Sequence, residues 1–154
     1  MEQIHILEFQ KGWLAGDKPC GFSVHNDPGD DLVYVLSDRI RSDALLKKQL
    51  GINASFRIHP VHRLDKETSG VLLLATDIKV LRNLSELFVK GRVKKRYLGL
   101  VHGSFDQEAE SHQYHIWDYP LSKTAGGRKD PVGKGRLVNC MTRYRVLQQS
   151  SHYS

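Results

Sequence analysis

Apolar and polar positions along this chain alternate in short blocks, punctuated by Gly, Pro and Asp. "IHILEF" (Ile4 to Phe9) reads as a short strand. "KGWLAGDKPCGFSVH" (Lys11 to His25) breaks repeatedly at Gly and Pro, which predicts short strands and turns, and "NDPGDD" (Asn26 to Asp31) predicts a loop. A helix is expected over Asp38 to Leu50, with Ser37 as N-cap and Gly51 as the stop, on an imperfect apolar stripe. The run Val71 to Ala75 predicts a buried strand. Asp77 can then cap a helix, "IKVLRNLSELFVK", in which Val80, Leu81, Leu84, Leu87 and Phe88 share one face. Lys90 suits the last turn of that helix and Gly91 its end. "KRYLGLVHG" (Lys95 to Gly103) and "RLVNCMTRYRVLQ" (Arg136 to Gln148) predict strands. "HQYHIWDYPL" (His112 to Leu121) is a weaker strand candidate, followed by a basic, glycine-rich loop. Strands outnumber helices, so the expected class is α+β, with one mixed or largely antiparallel sheet and a few helices. There is no internal repeat and no long linker, so residues 1–154 are expected to form a single domain.

The stretch "HPVHRLDKETSGVLLLAT" (His59 to Thr76) stands out in this pattern. Two histidines, an arginine, an aspartate and a glutamate are packed directly against the strand expected to be buried. Either this is a polar loop that ends a strand, or it is a reactive site that the strand holds rigid.

Composition narrows the setting. Apolar and charged contents of 40% and 26% are ordinary for a globular protein. The longest apolar run is far too short to span a bilayer, and the N-terminus lacks a basic segment followed by an apolar one, so no membrane or secretion role is expected. Cys20 and Cys140 form no C-x-x-C pair and read as buried reduced thiols of a cytoplasmic protein, although the sequence leaves a disulfide between them open. The net charge of +6 favours a polyanionic partner. "KGRVKKR" (Lys90 to Arg96) holds five basic residues and no acid, and "KTAGGRKDPVGKGR" (Lys123 to Arg136) holds five and one acid. Either run alone would pass for a solvated loop. Together, with Tyr97 beside the first, they read as a surface for phosphates.

The polar cluster admits several chemistries. His59, His62 and Asp65 are spaced by threes, which would gather metal ligands on a helix. Pro60 disfavours that helix, and an extended chain scatters the three side chains. Asp65 and Glu67 lie too close in sequence to flank one glycosidic bond. A Ser or Cys nucleophile with a His base has no supporting local pattern. A single aspartate beside Arg63 remains. Its carboxylate is expected to be fixed by the Thr68 and Ser69 hydroxyls or by nearby backbone N–H groups, as in an ordinary Asx-turn.

"HRLDKETSGVLLLA" closely resembles the signature of the RluA-type pseudouridine synthase family, H-R-L-D-x-x-T-S-G followed by an apolar strand. "DKPCGFSVH" (Asp17 to His25) is similar to that family's upstream K-P-x-G-x-x-V-H element, and "KKRYLGLVHG" (Lys94 to Gly103) to its downstream K-x-Y-x-x-x-V-x-G strand. Three segments agree in order, from Lys18 to about Gly103 and more loosely to Leu147, which is far more specific than one short motif. The resemblance implies an isomerase that converts uridine in ribosomal or transfer RNA to its C-glycoside, with neither cofactor nor metal. It makes Asp65 the catalytic carboxylate, acting on a uridine flipped out of the stack. Whether Asp65 attacks the sugar, attacks the base or removes a sugar proton stays open. Arg63 matches the family arginine, which fills the vacated stack or pairs with Asp65 or a phosphate. Tyr97 matches the active-site tyrosine, with stacking on the flipped base and help in proton transfer both open. Lys95 matches the motif lysine, with packing and phosphate contact both open, and Lys94 and Arg96 extend its basic patch. Lys18 and Pro19 are expected to serve the fold near the site.

At its ends the chain departs from that pattern. No S4-type RNA-binding module is seen before the domain. The family continues into an L-x-T-G-R-x-H-Q-I-R-like segment, whose basic residue pairs with the aspartate, and nothing here matches it, so a catalytic domain incomplete at the C-terminus is expected. Two rival functions follow: an RNA-binding fragment that does not catalyse, and a small metal- or carboxylate-dependent hydrolase. No obligate protein partner is evident.

Overall fold

The computed structural model describes residues 4–25, 27, 31–52, 56–105, 113–122 and 135–150. The chain forms two compact units, Met1–Lys95 and Arg96–Ser154.

The first unit is built on a four-stranded antiparallel sheet. Its strands are β1 (His5–Gln10), β2 (Trp13–Lys18), β3 (His59–Pro60) and β4 (Gly70–Ala75), in the order β1-β2-β4-β3. β4 runs between β2 and β3, with Leu14 opposite Leu74, Gly16 opposite Leu72 and Lys18 opposite Gly70. Alternation puts Leu14, Gly16, Lys18, Leu72 and Leu74 on one face. On that face lie α1 (Leu32–Ser42) and α2 (Ala44–Gln49), and Leu32, Leu36 and Ile40 of α1 are fully buried with Leu14, Leu72 and Leu74. A Cβ on Gly16 would meet Leu36 and Leu74 at ordinary contact distance, so α1 packs over this position without depending on glycine. The strand expected from Val71 to Ala75 is thus present, and Val71, on the other face, is exposed.

The helix expected over Asp38 to Leu50 is two helices, of which the first starts earlier, at Leu32. Aspartates cap both: Asp31 Oδ1 accepts from the Tyr34 amide at 2.8 Å, and Asp43 Oδ1 from the Leu46 amide at 2.9 Å. Ser37, expected as the cap, is buried inside α1. Gly51 does end α2, at φ 67°, with its N–H on Lys48 O and the Ile52 N–H on Lys47 O. α3 (Ile78–Val89) starts at Asp77, whose Oδ1 accepts from the Lys79 and Val80 amides at 2.7 and 3.0 Å. It ends at Gly91 in the same glycine-capped turn. Val80, Leu81, Leu84 and Phe88 are half-buried, and no residue of α3 is fully buried.

The second unit holds two small antiparallel ladders: β5 (His115–Asp118) with β8 (Met141–Tyr144), and β6 (Leu121–Ser122) with β7 (Leu137–Val138). Phe105, Trp117 and Tyr144 stack on one another, and Arg143 lies 4.4 Å over the Tyr114 ring. The single strand expected over Arg136 to Gln148 is therefore split into β7 and β8, each paired to a different partner. The strand expected over Lys95 to Gly103 does not form. Residues 94–104 are exposed and, among the described residues, show strand pairing only as an isolated bridge at His102; the pairing that holds a strand extended is non-local. Most of the basic, glycine-rich loop lies outside the described residues, as does most of Asn26 to Asp31. The cysteines are free thiols, and Cys20 is exposed rather than buried. Among the described residues, no helix is long and apolar enough to cross a membrane.

Candidate active site

The loop from Val61 to Ser69 joins β3 to β4 and carries the polar cluster. It is fixed at several points, nearly all beneath the cluster. Leu64 points down into the core. The Asp65 carbonyl accepts from the Thr68 amide at 3.0 Å, which closes a turn. The Lys66 carbonyl accepts from the Gly21 amide and from Lys18 Nζ, both at 2.9 Å, and the Glu67 carbonyl from Cys20 Sγ at 3.1 Å. At the start of the loop, His62 Nε2 accepts from the Leu73 amide of β4 at 3.1 Å, and its ring stacks on Phe88 of α3 with centroids 4.9 Å apart.

Lys18 explains much of this geometry. It closes β2 on the core face, and its side chain is fully buried. Its ammonium donates to the carbonyls of Pro19 (2.9 Å), Phe22 (2.7 Å) and Lys66 (2.9 Å). Three N–H groups meet three oxygens, so the buried cation is matched by backbone dipoles. Burial pushes the Lys18 ammonium below its ordinary pKa, and the charges of Cys20, Glu67 and Asp65 act the other way. The turn after β2 and the turn carrying Asp65 are thereby sewn together. Gly21 supports the first turn at φ 79°, a conformation that costs a side-chain-bearing residue energy.

The Asp65 carboxylate is exposed, and among the described residues no hydrogen bond or ion pair falls on it. The expected side-chain Asx-turn is replaced by a turn closed through the Asp65 backbone carbonyl. Arg63 is exposed and, among the described residues, forms no ion pair with Asp65. Lys94 and Lys95 lie exposed at the end of the first unit, and the Lys95 charge reaches His62. Arg96 and Tyr97 open the second unit, with Tyr97 68% exposed. Among the described residues, no group of three or more His, Cys, Asp or Glu is placed to hold a metal. His59 sits in β3, while the His62 ring is committed to Leu73 and Phe88.

Sequence reasoning placed Lys18 near the site but not its ammonium on the Asp65 loop. The signal was the alternation Leu14, Gly16, Lys18, which puts a lysine on the buried face. Cys20 and His62 lie within the motif segments, but neither the motif nor the local sequence assigns them these contacts. Their contacts run across the fold and leave no local pattern.

A family model described as RNA pseudouridylate synthase matches residues 13–154, which include β2, the turn at Lys18 and the whole Asp65 loop. The chain belongs to the RNA pseudouridylate synthase family. Among curated members of the family, it is 38% identical over 158 residues to ribosomal large subunit pseudouridine synthase D of Borreliella burgdorferi, covering 98% of this chain and 45% of that protein. It is 34% identical over 140 residues to ribosomal large subunit pseudouridine synthase C of Buchnera aphidicola, covering 87% and 40%. A third similar protein is tRNA pseudouridine synthase C of Haemophilus ducreyi, at 32% over 119 residues, covering 77% and 43%. Among solved structures, human RNA pseudouridylate synthase domain containing 4 aligns with a TM-score of 0.64 and 26% identity, over 96% of this chain and 55% of that one. The pseudouridine synthase fold is therefore shared, in an α+β chain spanning about half the length of the family members it matches.

Proposed function

We propose that the protein isomerises uridine to pseudouridine in ribosomal or transfer RNA, with Asp65 as the catalytic carboxylate. Membership of the family supports the reaction, and the relatives named for ribosomal and transfer RNA support the substrate class. The observation that carries the choice of residue is the Asp65 loop: a carboxylate with no hydrogen bond or ion pair among the described residues, on a turn tied down through its backbone. The reaction breaks the bond from ribose C1′ to base N1, turns the base and joins C5 to C1′. C5 loses a proton and N1 gains one, so atoms and electrons balance within the nucleoside, and what the reaction asks of the protein is a positioned carboxylate. The uridine reaches it by leaving the stack. Arg63, exposed two residues away, is suited to fill the space or to meet a phosphate. Tyr97 is suited to stack on the flipped base, and Lys94, Lys95 and Arg96 to track the RNA backbone. The reading is of a protein acting in the cytoplasm, on ribosomal or transfer RNA there.

The test is Asp65→Asn. The substitution keeps size and hydrogen bonding and removes the charge. Pseudouridine formation on bulk RNA should disappear, while RNA affinity changes less than about twofold. Turnover by a folded Asp65→Asn variant would end the assignment. RNA binding without turnover by the unaltered chain would favour the rival reading, a chain that binds RNA without isomerising it.

A further inference from the structure

His62 lies outside every role assigned so far, yet it occupies the point where the loop leaves the sheet. Continuing the β3–β4 register, His59 opposite Ala75 and Pro60 opposite Leu74, puts Val61 opposite Leu73. The Val61 amide donates to Leu73 O at 2.9 Å, as such a pair requires. The return bond, from the Leu73 amide to the Val61 carbonyl, is replaced by one to His62 Nε2 at 3.1 Å. An imidazole thus ends the ladder where a backbone carbonyl would have continued it, and the chain peels away toward Arg63 and Asp65. Phe88 holds the ring from the other side, stacked at 4.9 Å with an interplanar angle of 22°.

We propose that His62 is the positioning residue of the Asp65 loop and that it acts only as the neutral imidazole, because only an unprotonated Nε2 accepts the Leu73 N–H. Protonation puts a hydrogen on that nitrogen and turns the contact into a donor facing a donor. The surroundings keep the ring neutral. Burial lowers its pKa below the ordinary 6.5 and the Lys95 charge lowers it further, against a hydrogen bond to the Arg63 backbone that raises it. β4 carries no charged residue, and Glu86 and Lys90, beside Phe88 on α3, are paired with each other at 2.6 Å. On its own loop, Arg63 and Asp65 are exposed to solvent. Between the folded pKa and 6.5 the unfolded chain holds a proton that the native ring lacks. The anchoring is therefore complete above 6.5 and is lost as pH falls through the folded value.

Two substitutions separate the acceptor from the ring. His62→Gln keeps an acceptor near the Nε2 position and does not titrate. His62→Phe keeps the stack on Phe88 and has no acceptor. Ring nitrogen spectra of the unaltered chain near neutral pH should show a bare Nε2 with the proton on Nδ1. Leu73 amide exchange, corrected for the intrinsic pH dependence, should lose about tenfold protection on acidification in the unaltered chain. His62→Gln should show no such loss, and His62→Phe should be unprotected at every pH. A proton on Nε2 at neutral pH, or equal Leu73 protection in His62→Phe, would overturn the proposal. These measurements need no RNA. The catalytic consequence alone rests on the function proposed above: kcat should fall on the acid side, and His62→Gln should flatten that limb without changing KM.

Discussion

Lys18→Met tests how the Asp65 loop is held. Methionine keeps the length and most of the volume of lysine and removes its three donors. The carbonyls of Pro19, Phe22 and Lys66 are then deprived of partners at 2.7–2.9 Å. A buried carbonyl left bare costs about 1–3 kcal/mol. Lys66 O keeps the Gly21 amide, and Pro19 and Phe22 are only half-buried, so water offsets part of this. Working the other way, the variant no longer buries a cation, which costs several kcal/mol even when paired. The two terms are of similar size, so the net change at neutral pH stays within about 2 kcal/mol of zero, a melting shift of less than roughly 8 °C.

The local signature of Lys18→Met is sharper than the global one. The Gly21 and Thr68 amides, bound to Lys66 O and Asp65 O, should exchange faster relative to the amides of β2 and β4. The pH dependence has a definite sign as well. Burial holds the native Lys18 below its ordinary 10.5. Between the native value and 10.5 the unfolded chain carries a proton that the native chain has released, so native stability rises with pH across that window. Lys18→Met should remove the rise. Unchanged melting together with unchanged Gly21 and Thr68 exchange would show that the carbonyls are satisfied without the ammonium, and the account of the loop would fail.

Neutralising Lys94, Lys95 and Arg96 together should reduce the slope of log affinity against log salt by roughly 0.7 for each phosphate of a single-stranded RNA that these side chains neutralise, measured by titration at several salt concentrations; an unchanged slope would mean that the three charges face away from the RNA. Tyr97→Ala should weaken binding of a uridine-containing strand by about 1–3 kcal/mol if the ring stacks on the base, and calorimetry with and without the target uridine reads this directly. Asp77 is held below the usual 3.8 by the Val80 and Lys79 amides, so its contribution to α3 is present above 3.8 and lost as pH falls through the folded value. Asp77→Asn keeps the cap oxygen, and circular dichroism against pH should show the acid loss of helicity flattened.

Much of the first unit was legible because local chemistry and tertiary packing agree there. α3 has an aspartate at its start, a glycine at its end and a 3.6-residue apolar period between them. β4 was visible as an apolar run. α1 was missed at its start, although Leu32, Leu36 and Ile40 carry the helical period. "LVYVL" is rich in β-branched residues, and the cap, Asp31, sits in a stretch that also reads as a loop. The strand expected from Lys95 to Gly103 had the right residue types, but strand pairing is non-local and composition does not supply a partner. Asp65, Arg63, Lys95 and Tyr97 are singled out by a resemblance to a motif. What holds the motif in place, the Lys18 ammonium and the His62 ring, depends on contacts across 48 and 11 residues of sequence, which a local reading cannot see.

Those contacts explain why a dense polar cluster sits against a buried strand. An aspartate oriented by hydrogen bonds to its own side chain has its acceptor sites occupied, and substrate must displace those bonds before the carboxylate can act. Here orientation comes from elsewhere. Leu64 is buried, the carbonyls of Asp65, Lys66 and Glu67 are taken by Thr68, Lys18, Gly21 and Cys20, and the loop begins at an imidazole bonded to β4. The backbone is fixed and, among the described residues, the carboxylate is left open. If Asp65 acts on uridine as proposed, rigidity is supplied before the substrate arrives, and little of the binding energy goes into ordering the loop. A strand alternating between a packed face and a solvent face is well suited to this, because Leu72 and Leu74 anchor β4 while the Leu73 amide and carbonyl between them hold His62 and Val61 at the start of the loop.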